Sequence, residues 1–249
     1  MELKGKAAIV TGGTGGLGRC ICRALAEAGA NVALVYLKSQ AEAEAYSSEL
    51  SALGSRSIAI QADITSADGI EAMIQETLRQ FGQVDALVND AAYNRFIPFQ
   101  DLDTLDVDVW NYILNYNVTA PFLAMRAVAE VMKRGGQGRI VNISSVAGLS
   151  PSGSSIAYAV SKAALIHLTR CMSVALAPEI LVNCVAPGFM EGTRLSGNLP
   201  PEFQETSRRS GVLKRAAHKD DVADAVLTFI RTDSITGQTL VVDSGKVFH

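Results

Sequence analysis

The stretch AAIVTGGTGGLGRCI at residues 7–21 passes from a short apolar run, through five glycines, into a helix-like pattern. Glycine has no Cβ, so backbone at such a turn can approach an anion closely. The helix start that follows presents N–H groups without intrahelical partners. The glycines fit two registers: G-x-G-x-x-G through Gly13, Gly15 and Gly18, and T-G-x-x-x-G-x-G through Thr11, Gly12, Gly16 and Gly18. Spacing within the loop leaves both open. Beyond it, LGRCICRALAEAGA (17–30) places Ile21, Leu25 and Ala28 at helical spacing before a stop at Gly29, and NVALVYL (31–37) returns to a strand. A complete strand, glycine turn, helix, strand unit implies a nucleotide phosphate site.

The same alternation continues along the chain. SIAIQAD (57–63), DALVND (85–90), RIVNISS (139–145), ILVNCVAP (180–187) and TLVVD (239–243) complete a set of seven strand candidates with AAIV (7–10) and NVALVYL. Helical patterns lie between them, over 68–82, about 106–133, 157–177 and 220–230. Continuous apolar strands separated by helices imply a parallel sheet covered on both faces. The expected fold class is therefore α/β, a Rossmann-like, doubly wound, seven-stranded parallel sheet. No repeat, linker or low-complexity tract divides the chain, so residues 1–249 read as one domain.

Composition narrows the function. The chain has 249 residues, 48% hydrophobic and 19% charged, with a net charge of -3, which gives no basic footprint for nucleic acid. The N-terminus reads as a first strand rather than a secretory segment, and no unbroken apolar run approaches the ~18 residues of a membrane span. The expectation is a cytoplasmic protein with neither nucleic acid nor membrane as partner. Cys20, Cys22, Cys171 and Cys184 lack metal-type pairing, and His167, His218 and His249 are far apart, so no metal is expected.

In SSIAYAVSKAALIHLTR (154–170), Tyr158 and Lys162 stand four apart and so share one side of a helix. A phenol titrates near ~10 and is a poor acid–base group at neutral pH; a neighbouring ammonium favours the phenolate and lowers that value. Ser145, closing RIVNISS, can hydrogen-bond a substrate oxygen. A carbonyl that gains hydride develops negative charge on oxygen, which Ser145 and Tyr158 would stabilise while the tyrosine gives up its proton. At the end of the second strand the chain carries Tyr36, Leu37 and Lys38 and no acid for a ribose 2′-hydroxyl. That favours NADP(H) over NAD(H).

Together TGGTGGLG, NISSVAG, SIAYAVSK, LNYNVTAPF and NCVAPGFMEGT resemble, in order and spacing, the motifs of the short-chain dehydrogenase/reductase family, most closely its 3-oxoacyl-[acyl-carrier-protein] reductase-like group. The resemblance implies a tetrad of Asn117, Ser145, Tyr158 and Lys162, with Asn117 supporting a proton relay. It selects the Thr11, Gly12, Gly16, Gly18 register and implies cofactor contacts from Gly12, Thr14, Gly16, Leu17 and Gly18. Further contacts would come from Tyr36, Lys38, Asp63, Ile64, Asn89, Ala91, Tyr158, Lys162, Pro187, Gly188, Phe189 and Thr193. Three positions depart from the pattern. NDAA (89–92) replaces the usual Asn-Asn-Ala-Gly, Thr193 comes one residue late, and Leu37 stands where Arg is frequent.

Residues 189–211 are expected to form a substrate loop hinged at Gly192 and Gly197. Residues 91–103, with Tyr93, Phe96, Ile97 and Phe99, would form the opposite, partly apolar wall. The expected activity is NADP(H)-dependent hydride transfer between nicotinamide and a small-molecule ketone or secondary alcohol, a 3-oxoacyl thioester foremost. The alternatives are a sugar or polyol dehydrogenase using NAD(P), and a non-catalytic nucleotide-sensing protein. By resemblance the chain should form a homotetramer through helices near 106–133 and 157–177, with DSGKVFH packing near a neighbour's pocket.

Overall fold

Seven strands, all parallel, form a single sheet in the computed structural model, which describes residues 1–248; His249 lies outside them. They are β1 (Ala7–Thr11), β2 (Asn31–Tyr36), β3 (Ser57–Gln61), β4 (Ala86–Asn89), β5 (Gly138–Ile143), β6 (Ile180–Pro187) and β7 (Thr239–Val242), in the spatial order 3-2-1-4-5-6-7. The order reverses beside β1, whose neighbours are β2 and β4. In open α/β sheets such a reversal leaves a crevice outside the carboxyl ends of the strands, where ligands bind.

Alternate strand residues feed two cores. Ala8, Val10, Val32, Leu34, Val88 and Val185 pack against α1 (Gly16–Glu27) and α9 (Lys219–Arg231). Ile9, Ala33, Val35, Leu87, Ile140 and Val182 pack on the other face against α3 (Ala67–Phe81), α5 (Ala120–Arg134) and α6 (Ile156–Leu176). This period-two division is why the strands read as unbroken apolar runs: both faces are covered. Among the described residues, α6 is the one helix long and apolar enough to cross a membrane, and Leu165, Ile166, Met172 and Leu176 bury its inner face.

One sequence expectation changes. The helix expected over about 106–133 is interrupted: α4 (Val107–Leu114) passes into a π-helical turn, Asn115–Thr119, before α5. Pro121 in the first turn of α5 has no N–H to give, which favours a break in the ladder just ahead of it. The C-terminal segment packs on its own chain: Val212 and Leu213 donate backbone hydrogen bonds to Gly245 and Ser244, and Lys246 lines this chain's own cavity. In addition, α2 (Gln40–Ser51) follows β2, and the 189–211 region folds into α7 (Arg194–Gly197) and α8 (Pro201–Arg209).

Candidate active site

One cavity runs across the carboxyl ends of β1, β2, β4, β5 and β6. At one end is the glycine cradle. Gly12 has φ +72°, a left-handed conformation that favours glycine, and a Cβ added there would lie 3.0 Å from the Ala91 α carbon. Gly18 is packed so closely that an added Cβ would lie 2.2 Å from Gly12 O; at Gly16 the same atom would lie 2.2 Å from Gly192 O. Gly15 caps α1 with no side-chain hydrogen bond, so the N-terminal N–H groups of the helix remain available to an anion. This uncapped helix start beside a glycine-rich loop fits the pyrophosphate of a nicotinamide dinucleotide. Gly13 serves packing instead, since a Cβ there would strike Leu34.

At the other end stands the proton-transfer group. Ser145 follows β5 and accepts a hydrogen bond from the Ala147 N–H at 3.2 Å. Ser155 caps α6 by accepting from the Tyr158 N–H, and one turn on, the almost fully buried Lys162 donates from Nζ to Ile143 O at 2.9 Å. The Ser144 hydroxyl donates to the Lys162 carbonyl at 2.7 Å, which fixes the helix against the strand end. The Lys162 ammonium lies 5.7 Å from the Tyr158 ring centroid. Burial pushes the Tyr158 phenol up to about 12, with the Ser145 hydroxyl pulling it partly back and Asp90 adding to the rise. Burial holds Lys162 down to about 8, opposed by Cys184 and Asp90. The lowered phenol expected from the lysine spacing is therefore not found in the free chain. Desolvation dominates at the phenol, and the Lys162 ammonium is directed at Ile143 O instead.

Of the residues expected from sequence, Gly12, Thr14, Gly16, Leu17, Tyr36, Lys38, Ile64, Ala91, Ser145, Tyr158, Lys162, Pro187, Gly188, Phe189 and Thr193 line this cavity together. Four stand back from it. Gly18 lies under the loop. Asn89 Nδ2 donates to Asn142 Oδ1 inside the sheet. Asp63 Oδ1 accepts from both the N–H and the hydroxyl of Thr65, so it caps the turn after β3. Asn117 is buried in the π turn, where it accepts from the Tyr93 N–H and donates to Tyr93 O and Ser161 Oγ. Thr193 lines the cavity, yet its hydroxyl is engaged in a capping box with Ser196.

Sequence reasoning missed Asn94, which donates to Leu195 O at 3.1 Å and accepts from Asn198 Nδ2 at 3.1 Å, clasping the 189–211 segment to the opposite wall. The Phe96 and Phe203 rings meet edge to face across the same closure, with centroids 5.5 Å apart. The expected apolar wall contained Phe96 and gave a signal; nothing in the spacing marked Asn94.

The short chain dehydrogenase pattern matches residues 6–203, four-fifths of the length and the whole of the site just described up to α8. The chain belongs to the short-chain dehydrogenase family. This short-chain dehydrogenase is 37% identical over 244 residues to the 3-oxoacyl-[acyl-carrier-protein] reductase of Staphylococcus aureus, covering 96% of this chain and 97% of that protein. It is 35% identical over 254 residues to the corresponding reductase of Synechocystis sp., with 98% of each chain covered. Among solved structures it resembles an NADPH-dependent 3-quinuclidinone reductase from Rhodotorula rubra, with a TM-score of 0.91 at 26% identity over 98% of this chain and 92% of that one. A short-chain dehydrogenase/reductase variant from Serratia marcescens gives a TM-score of 0.89 at 32% identity, with 99% of each chain covered. The family makes the chain an NAD(P)-dependent oxidoreductase acting on C=O and CH–OH groups.

Proposed function

We propose that this enzyme reduces the ketone of an acyl or otherwise apolar substrate, a 3-oxoacyl thioester foremost, with NADP(H) preferred to NAD(H). The observation that carries the reading is the shared cavity. Ser145 and Tyr158 line it together with Phe189, Met190, Leu195, Leu199 and Phe203, so a carbonyl at the hydroxyls has apolar surface for its chain. The reductases named among its relatives act on 3-oxoacyl groups, which supports the substrate class. Lys38 supports the cofactor preference: it lines the cavity beyond β2 and, among the described residues, enters no ion pair.

The nicotinamide, when bound, supplies the hydride. The chain supplies the proton and holds the oxygen. With its phenol pushed up to about 12, Tyr158 is neutral at physiological pH and is a donor from the outset, as reduction requires. Ser145 is placed to donate to the same carbonyl oxygen as it gains charge. Lys162 keeps a cation within reach of the phenolate that remains after transfer, and Gly12, Thr14, Gly16 and Leu17 would hold the dinucleotide. Asn117 acts at a distance, by holding Tyr93 and Ser161 around the π turn. Run in reverse, the phenolate left on Tyr158 takes the proton back from an alcohol, so the same residues serve both directions. We place the enzyme in the cytoplasm as a single catalytic domain and, from the exposed apolar residues of α4 and α6, as a homotetramer.

The test mixes purified protein with acetoacetyl thioester and NADPH or NADH and follows loss of reduced nicotinamide absorbance. Faster NADPH oxidation coupled to thioester reduction is the expected result. Turnover with NADH alone removes the cofactor preference; turnover only of polyols with the oxidised cofactor removes the substrate class.

A further inference from the structure

Asp90 stands one residue beyond β4, where the family pattern carries Asn, and neither catalysis nor the sheet uses its carboxyl group. Its backbone is fixed: the N–H groups of Asp90 and Ala91 both donate to Thr11 Oγ1, at 3.1 and 3.2 Å. Its side chain passes beneath the glycine loop. Oδ2 lies 3.0 Å from the point where a Cβ on Gly18 would stand, and Gly12 O lies 2.2 Å from that same point. The carboxyl group and the Gly12 carbonyl thus close on one spot at the start of α1. Asp90 also lines the cavity itself, beside Gly12, Gly15 and Gly16.

An ionised carboxylate in this place is all acceptor. It faces a carbonyl oxygen, and it sets negative charge beside a cradle built for phosphates. The neutral acid carries a donor, as an asparagine amide would, and can turn it toward Gly12 O. We propose that Asp90 is a positioning residue that works as the protonated acid, holding the Gly12–Gly18 turn in its dinucleotide-binding shape, so that its ionisation weakens cofactor binding. This rests on the dinucleotide reading of the cradle given above.

The surroundings favour the neutral form. Three titratable groups are coupled to Asp90: Cys22 from α1, and Tyr158 and Lys162 from α6. Burial pushes the Cys22 thiol and the Tyr158 phenol up, so both are uncharged and offer the carboxylate no counter-charge. Lys162 alone opposes protonation, and burial still pushes Asp90 up to about 7. Since the neutral form binds, affinity is full below that value and falls as pH rises through it.

NADH is the probe, because the 2′-phosphate of NADPH titrates near ~6 and would add its own pH dependence. Dissociation constants of wild type and Asp90→Asn are measured by NADH fluorescence at pH 6 and pH 8. Asn keeps a donor and cannot ionise. The ratio of wild-type to D90N Kd is expected to grow about fivefold or more between the two pH values; loss of the Asp90 charge lowers Lys162 further in D90N, which weakens that variant at high pH and works against the growth. Calorimetry of NADH binding at pH 7.5 in two buffers of different ionisation enthalpy gives the second readout: the wild type takes up protons beyond those taken up by D90N. Asp90→Ala, which has no donor, is expected to bind weakly at both pH values.

A constant ratio with equal proton uptake overturns the proposal, as does a D90A that binds like D90N. Failure of every protein to bind either NADH or NADPH overturns the dinucleotide reading as well. Circular dichroism checks folding, and Asp90→Ser, another small donor, replaces D90N if that variant does not fold.

Discussion

At Tyr158 the hydroxyl is buried against Ser145, and its proton is held far more tightly than in water. A group so placed is a donor that acts only when a nearby oxygen gains charge, which is the condition hydride transfer creates. Tyr158→Phe removes the proton without changing the packing of the ring. It should lower kcat for ketone reduction by about 10³-fold, within the range general acids contribute, and leave the NADPH dissociation constant within about twofold. Steady-state rates beside fluorescence titration separate the two. Lys162 sets the upper pH limit. Its ammonium is held down to about 8, so the charged form prevails below that pH and is lost above it. The rate of reduction should therefore fall as pH rises through about 8, well before Tyr158 itself ionises; a rate constant that is flat to pH 10 would refute this assignment.

At the scale of the element, the π turn and the 189–211 segment carry what the side chains alone cannot. Asn117 makes three hydrogen bonds from the π turn to Tyr93 and Ser161. Asn117→Ala leaves buried polar groups without partners and should cost about 3 kcal/mol. In a chain of this size that lowers Tm by roughly 6–12 °C, measurable by calorimetry. Asn94→Ala opens the clasp to Leu195 and Asn198, so KM for the ketone should rise about three- to tenfold, the worth of one or two hydrogen bonds, with kcat little changed. Neither feature was legible in the sequence. A π turn adds one residue to a helix whose apolar spacing barely changes, so residues 106–133 read as one helix. The clasp joins residues a hundred positions apart through polar side chains, which leave no periodic trace. The helix α2 escaped for a different reason. Ala43, Tyr46, Ser47 and Leu50 are buried at helical spacing, but two of the four are small and one is polar, so the face has little hydrophobic contrast. Where burial is strong, as in β1, β2, β4, β5 and β6, the strands are legible within about two residues of their ends, as are the less buried edge strands β3 and β7. The glycine loop and Ser145 stand at strand ends, while Tyr158 and Lys162 stand out by their spacing on α6.

At the scale of the molecule, the sheet brings residues that follow β1 to β6 to one edge, and the helices on its flanks keep apolar surface in excess of what the single chain covers. Val107 and Tyr112 of α4 are 72% and 52% exposed; Val160 and Val174 of α6 are 40% and 82% exposed. The exposed side of α4 is not remote from the chemistry. The Tyr112 ring meets Tyr93 edge to face at 4.7 Å, and Tyr93 is the residue that Asn117 holds. A second copy covering α4 would thus also restrain the wall beside the π turn. Symmetric closure through two such faces gives a tetramer. Light scattering should therefore return a mass about four times the 26.4 kDa of the chain. Val174→Asp places a charge on the most exposed apolar position of α6 and should reduce that mass at least to the dimer, because desolvating an unpaired carboxylate outweighs the few contacts a valine contributes. If Val174 belongs to no contact, the substitution leaves the mass unchanged. A wild-type mass of one chain at micromolar concentration refutes the assembly itself.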